Sequence, residues 1–184
     1  MLKRFIIWFI MAFVLITIQA GFFSNNAPSL KETTEKTVPQ TTSSTSTPAV
    51  VTRVVDGDTI VVLVNGVSEK VRLIGVDTPE TVDPRKLVEC FGKEASAFTT
   101  ETLLSKNITL ESDPTQSDRD KYGRLLRYVF LSDGTLVNKL IITEGYGHEY
   151  TYDVPYKYQN EFKQAQTTAK ELKKGLWADG ACAE

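Results

Sequence analysis

Arg72-Leu73-Ile74-Gly75-Val76-Asp77-Thr78-Pro79-Glu80 opens on an arginine and closes on two carboxylates flanking a proline. The strand-like part is apolar on both alternating faces except at Arg72, and an unpaired buried charge is expensive, so Arg72 needs an anion. Either an internal carboxylate or a bound phosphate, gripped bidentately, meets that need. Asp58 stands earlier, after the turn Asp56-Gly57, and Arg124 follows later in Asp120-Lys121-Tyr122-Gly123-Arg124. Two aspartates facing each other repel unless a hard cation such as Ca²⁺ sits between them, and the Thr78 carbonyl is an oxygen such a cation accepts. Glu80, placed by Pro79, is a carboxylate able to deprotonate or orient water. With two arginines to hold charge that develops on phosphoryl oxygens, the set suits cleavage of a phosphodiester. Asp-Thr-Pro-Glu by itself is equally a turn or helix-start signal.

The elements that must position these groups are short. Val50–Val55 and Thr59–Val64 are β-branched runs separated by Asp56-Gly57-Asp58, and Lys70–Val76 reads as a third strand of a meander. If residues 66–69 form a four-residue loop, Asp58 falls directly opposite Asp77; a tight Asn65-Gly66 turn instead separates them along the ladder. Both registers are open. Ile108–Glu111 and Leu125–Leu131 supply two further strands. Helical spacing predicts Phe91–Lys106, with Phe91, Ala95, Phe98 and Thr102 on one face. It also predicts Leu136–Glu144, through Leu136, Val137, Leu140 and Ile141, and Tyr156–Lys174, through Phe162, Ala165, Ala169 and Leu172. Five strands with a helix between the third and fourth match an OB-type barrel, of class α+β.

The chain has 184 residues, and they divide unevenly. Residues 1–23 carry Lys3 and Arg4 before an apolar run, the pattern of a cleaved signal peptide or a retained signal anchor. Both place the remainder outside the cytoplasm, secreted or anchored to the outer face of the membrane. Residues 24–49 hold twelve Ser or Thr and few large apolar side chains, as expected of a flexible tether. Residues 50–184 suit one domain with one core. That domain carries 17 Lys plus Arg against 21 Asp plus Glu, a net of −4, so it lacks the general basic face of bulk polyanion binders. Cys90 and Cys182 are the two cysteines; in an exported chain an even count suggests a disulfide, worth roughly 4 kcal/mol at best in the chain-entropy model, and two thiols are the alternative. One histidine, His148, argues against histidine-dependent nuclease chemistry.

Val55-Asp56-Gly57-Asp58-Thr59, the stretch from Arg72 to Glu80, Phe91-Gly92-Lys93-Glu94-Ala95 and Asp120-Lys121-Tyr122-Gly123-Arg124 together resemble the successive motifs of the thermonuclease (micrococcal nuclease-like) family, over roughly Val50 to Trp177. The resemblance implies an OB-fold barrel with three helices and Ca²⁺-dependent hydrolysis of DNA and RNA to 3′-phosphate products. It implies Asp58, Asp77 and the Thr78 carbonyl as calcium ligands, and Arg72, Glu80 and Arg124 as catalytic residues. Asp56 would stand next to the metal ligands. Lys121 and Tyr122 match substrate-binding positions, and Tyr150 and Tyr152 match such positions with a one-residue shift, as surfaces on which a base can stack. Arg85 and Lys86 lie in a loop that aligns in length with a substrate-facing one. The expected substrate is single-stranded or frayed nucleic acid, and the expected state a monomer. The contrasting expectation is a tethered OB-fold module that binds nucleic acid without cutting it.

Overall fold

A computed structural model describes residues 45–81 and 87–182. The N-terminal segment 1–23, most of the expected tether, and Arg85 and Lys86 lie outside the described residues. Among the described residues no helix is long and apolar enough to cross a membrane.

Strand β1 (Ser46–Asp56) pairs with β2 (Thr59–Val64), which pairs with β3 (Val67–Leu73). β3 runs parallel to β6 (Leu125–Leu131), and β6 is antiparallel to β5 (Asn107–Glu111). β5 returns to the first half of β1, closing the barrel in the order β1-β2-β3-β6-β5. One strand serves two neighbours because β1 is long and bends at irregularities between Val51 and Arg53 and between Val54 and Asp56. β1 begins at Ser46, four residues before the expected Val50, since Ser46–Ala49 take up the free edge of β5.

The three expected helices are present: α1 (Gly92–Leu103), α2 (Val137–Thr143) and α3 (Gln159–Glu171), followed by one 3₁₀ turn (Gly175–Trp177). The fold is therefore the expected α+β OB barrel. The buried faces differ in detail. α1 buries Ala95, Thr99 and Leu103, and Thr99 is buried because its hydroxyl donates to the Gly57 carbonyl at 2.6 Å. α2 buries Asn138 beside Val137, Ile141 and Ile142. Leu172 falls past the end of α3 and is exposed, leaving Phe162, Ala165 and Ala169 as its inner face.

The third expected strand does not run through to Val76. β3 stops at Leu73, the chain turns at Ile74-Gly75, and β4 (Val76–Asp77) pairs with β7 (His148–Glu149). Gly75 makes that turn with φ of 77°, a left-handed conformation, and a Cβ there would stand 2.6 Å from the Tyr156 ring. Asn138 fastens the turn to the barrel: its Nδ2 donates to Ile74 O at 2.8 Å, and its Oδ1 accepts from Val129 N–H at 2.9 Å.

Candidate active site

Asn65 and Gly66 both have positive φ, 50° and 80°, the signature of a tight hairpin turn. The ladder therefore pairs Thr59 with Arg72, the register that moves Asp77 away from Asp58 along the strands. The turn at Gly75 brings Asp77 back. Arg72 Nη2 stands 3.0 Å from Asp58 Oδ2 and 2.7 Å from Asp77 Oδ1, while its Nη1 donates to the carbonyls of Val76 at 2.6 Å and Leu73 at 3.2 Å. The arginine in the apolar strand has thus found internal carboxylates, the two expected to hold a cation. Its side chain is 14% exposed and that of Asp58 9%, whereas Asp77 is 51% exposed and faces outward.

Thr78 closes the arrangement from the other side, donating its N–H (3.0 Å) and hydroxyl (3.2 Å) to Asp58 Oδ2. Asp58 Oδ1 accepts from the Thr59 hydroxyl at 2.9 Å, and that same hydroxyl oxygen lies 3.4 Å from Arg124 Nη1. Thr59 therefore joins the second arginine to the first aspartate. Asp120 sets the arginine's direction: Oδ2 accepts from Arg124 Nε at 2.6 Å, and Oδ1 accepts the backbone N–H groups of Tyr122 and Arg124 at 2.9 and 3.0 Å. Lys121 and Arg124 both lie over the Tyr122 ring, at 5.1 and 5.3 Å from its centroid.

Asp56 is buried and grips the segment carrying Glu80. It accepts from the Gly57 N–H at 2.9 Å and from the Thr81 hydroxyl at 2.7 Å. Burial first, with the neighbouring Glu80 carboxyl adding, pushes Asp56 up to about 6 against the opposing bonds from Thr81 and Gly57. Burial likewise raises Asp77 above its ordinary 3.8; Arg72 opposes the shift and Asp58 adds to it. Glu80 itself is half-buried. Its backbone is held by Glu89, which donates its N–H to Glu80 O at 2.9 Å and accepts the Glu80 N–H on Oε2 at 3.0 Å.

The carboxylates of Asp58 and Asp77 meet at one cationic nitrogen, so the spot between them already favours positive charge. They are hard oxygen donors, two in number, and among the described residues no cluster of three or more acidic, histidine or cysteine side chains is placed to hold a metal. That donor set suits an oxygen-seeking cation that completes its shell with backbone carbonyl and water, as Ca²⁺ does.

The remaining expected residues are dispersed. Tyr150 reaches the site through its N–H, which donates to Gly75 O at 3.1 Å; Tyr152 is 74% exposed and its ring lies 6.3 Å from that of Tyr150. Among the described residues no ring contact joins either to Tyr122. His148 is the strand partner of Asp77, packs edge-on to Trp177, and is held below its ordinary pKa by burial. Cys90 and Cys182 form a disulfide with Cα atoms 5.7 Å apart. Thr59, Thr81, Glu89 and Asp120 were not foreseen as part of the site. Only Asp120 left a signal, as an acid four residues before Arg124 at a turn.

Residues 70–179 match the family described as Staphylococcal nuclease homologue. The chain is 44% identical over 129 residues to a thermonuclease of Staphylococcus hyicus, covering 70% of this chain and 75% of that protein. It is 43% identical over 127 residues to a thermonuclease of Staphylococcus intermedius, covering 69% and 74%. Endonuclease YncB of Bacillus subtilis is 40% identical over 127 residues, 68% of this chain and 59% of that protein. With the closed barrel and the contacts that join Asp58, Asp77, Arg72 and Arg124, these likenesses show that the chain belongs to the staphylococcal nuclease homologue family.

Proposed function

We propose that this hydrolytic nuclease acts outside the cytoplasm and cuts phosphodiester bonds of DNA and RNA in a calcium-dependent reaction that leaves 3′-phosphate ends. The observation that carries the reading is the convergence of Asp58, Asp77 and Arg72 at one point, with Arg124 joined to Asp58 through Thr59. Asp58, Asp77 and the Thr78 carbonyl would hold the cation, which supplies positive charge beside the phosphoryl oxygens.

The chain's own groups do the rest. Arg72 and Arg124 present guanidinium N–H groups to the non-bridging oxygens, where negative charge grows as water attacks phosphorus. Glu80 would take or orient the proton of that water. The water oxygen stays on phosphorus, the bond from phosphorus to the 5′-oxygen breaks, and that oxygen leaves with a proton. Lys121 and Tyr122, on the same turn as Arg124, would contact the sugar-phosphate backbone, and Tyr150 and Tyr152 would offer rings to a splayed base of single-stranded or frayed nucleic acid.

The test is cleavage of single-stranded DNA by the full chain with calcium and with chelator. Calcium-dependent cleavage is expected, with Glu80→Gln losing turnover while keeping its fold. Equal rates in chelator, or near-full turnover in Glu80→Gln, would refute the assigned roles.

A further inference from the structure

β3 alternates strictly near its end: Val71 and Leu73 are buried in the core, and Lys70 and Arg72 take the opposite face. Arg72 is engaged by Asp58 and Asp77. Lys70, two residues and so about 7 Å further back along the strand, is exposed and makes no ion pair among the described residues. In the ladder Lys70 pairs with Val61, and Val61 pairs with Arg53 of β1. Arg53 stands on this face because of the irregularity between Val51 and Arg53. Strict alternation from buried Val51 would turn Arg53 into the core, but Thr52 is an extra residue there, so the alternation slips by one and Arg53 turns out. It too is exposed and makes no ion pair among the described residues.

On the other side of β3 the parallel ladder begins with Val71 against Leu125, so Arg124 flanks Lys70 one step earlier. Its guanidinium reaches Thr59 on β2. One row across the outer wall of the barrel therefore carries Arg53, Lys70 and Arg124, with Val61 between the first two. The carboxylates nearby are turned elsewhere: both oxygens of Glu69, on the other face of β3, are taken by Arg119 at 2.9 Å, and Asp120 holds Arg124. The next row, Val50, Leu63 and Ser68, is uncharged. In a domain of net charge −4, long-range attraction does not gather a polyanion, so a local row of cations must do it.

We propose that Lys70 and Arg53 form a track for the backbone of single-stranded nucleic acid, leading from the candidate active site across the barrel wall. Lys70 would meet the phosphate next to the one at Arg72, and Arg53 a further one, since its Cα lies two strand spacings, about 10 Å, from that of Lys70. The inference rests on the reading that the substrate is nucleic acid, and extends it from the cleaved bond to the strand beside it.

The experiment measures the affinity of the full chain for a fluorescent oligothymidylate of about twelve residues, within the footprint of one OB barrel. Binding is followed by anisotropy in chelator between about 50 and 200 mM salt, where each phosphate contact on a single strand contributes about 0.7 to the slope of log K against log salt. Lys70→Gln and Arg53→Gln should each weaken binding and lower that slope by about 0.7, and together by about 1.4. Lys70→Arg should keep the parent slope. Lys163→Gln, which removes an exposed charge from α3, should leave the slope within about 0.2 of the parent. Melting curves confirm that every variant folds. A double variant with the parent's slope, or an equal fall in Lys163→Gln, overturns the inference. The measurement needs neither calcium nor turnover, so a chain that binds along this track but does not cut refutes the nuclease reading alone.

Discussion

Asp120→Asn isolates positioning from charge at the second arginine. Asp120 does two jobs with separate oxygens. Oδ1 accepts the N–H groups of Tyr122 and Arg124 and closes the turn, whereas Oδ2 takes Arg124 Nε at 2.6 Å. Asparagine keeps one acceptor for the turn, but its amide then faces the guanidinium with a donor. Arg124 retains its charge and its 3.4 Å approach to the Thr59 hydroxyl, the weaker of its two holds. A hydrogen bond to a charged group contributes about 1.5–3 kcal/mol when desolvated. With side chains 25% and 16% exposed, screening reduces this to about 1–2 kcal/mol, or roughly a 5- to 30-fold fall in kcat. Arg124→Ala, which removes the charge itself, should fall about 100- to 1,000-fold. Steady-state kinetics on single-stranded DNA with calcium give both values, and circular dichroism checks the fold. The double variant supplies the decisive comparison, since Asp120→Asn should cost nothing more once Arg124 is gone. A kcat within twofold of the parent in Asp120→Asn, or a further loss on the Arg124→Ala background, would refute this positioning role.

Away from the site, Asp113 is buried and accepts from Tyr128 OH at 2.6 Å, Lys157 N–H at 2.8 Å and Thr115 N–H at 2.9 Å. Burial raises its pKa, but these donors outweigh burial and hold it below the ordinary 3.8, so its stabilisation is present above that range and is lost as pH falls through the lower folded value. Asp113→Asn should cost about 2–5 kcal/mol in urea unfolding at pH 7 and flatten the acid limb of stability; a parent-like acid limb would contradict the assignment. Gly75→Ala should cost roughly 2–5 kcal/mol, from the left-handed backbone and the collision with Tyr156, and should lower activity by shifting Asp77; a stability loss under 1 kcal/mol would mean the turn relaxes freely. Calcium at about 100 times its dissociation constant should add about 2.7 kcal/mol to unfolding, and Asp77→Asn should remove most of that gain; an equal gain in the variant would place the cation elsewhere.

Local chemistry made much of this protein legible in advance. The β-branched runs, the Asp-Gly-Asp break and the helical stripe of α3 specify their elements through neighbours a few residues away, where periodicity and turn preference act. Residue type alone also marked Arg72, since an arginine in an apolar strand must find an anion. The faces of α1 and α2 were less legible because Thr99 and Asn138 are buried for a hydrogen bond to a distant backbone group, not for hydrophobicity. The same holds for Ser46–Ala49, which form a strand because β5 offers an unpaired edge, and ladder bonds are indifferent to side-chain polarity.

The candidate site shows where that division falls. The amino-acid sequence by itself determined which groups were available: two aspartates, a glutamate, two arginines and the turn residues beside them. The tight Asn65-Gly66 hairpin, left to the strand ladder, would keep Asp58 and Asp77 apart. Their meeting on Arg72 comes instead from a left-handed glycine, from the pairing of β4 with β7, and from an asparagine on α2 that pins the turn. These contacts span up to 73 positions of sequence, from Val76 to Glu149, and they exist only once the barrel has closed, because loop entropy must be overcome before any of them is gained.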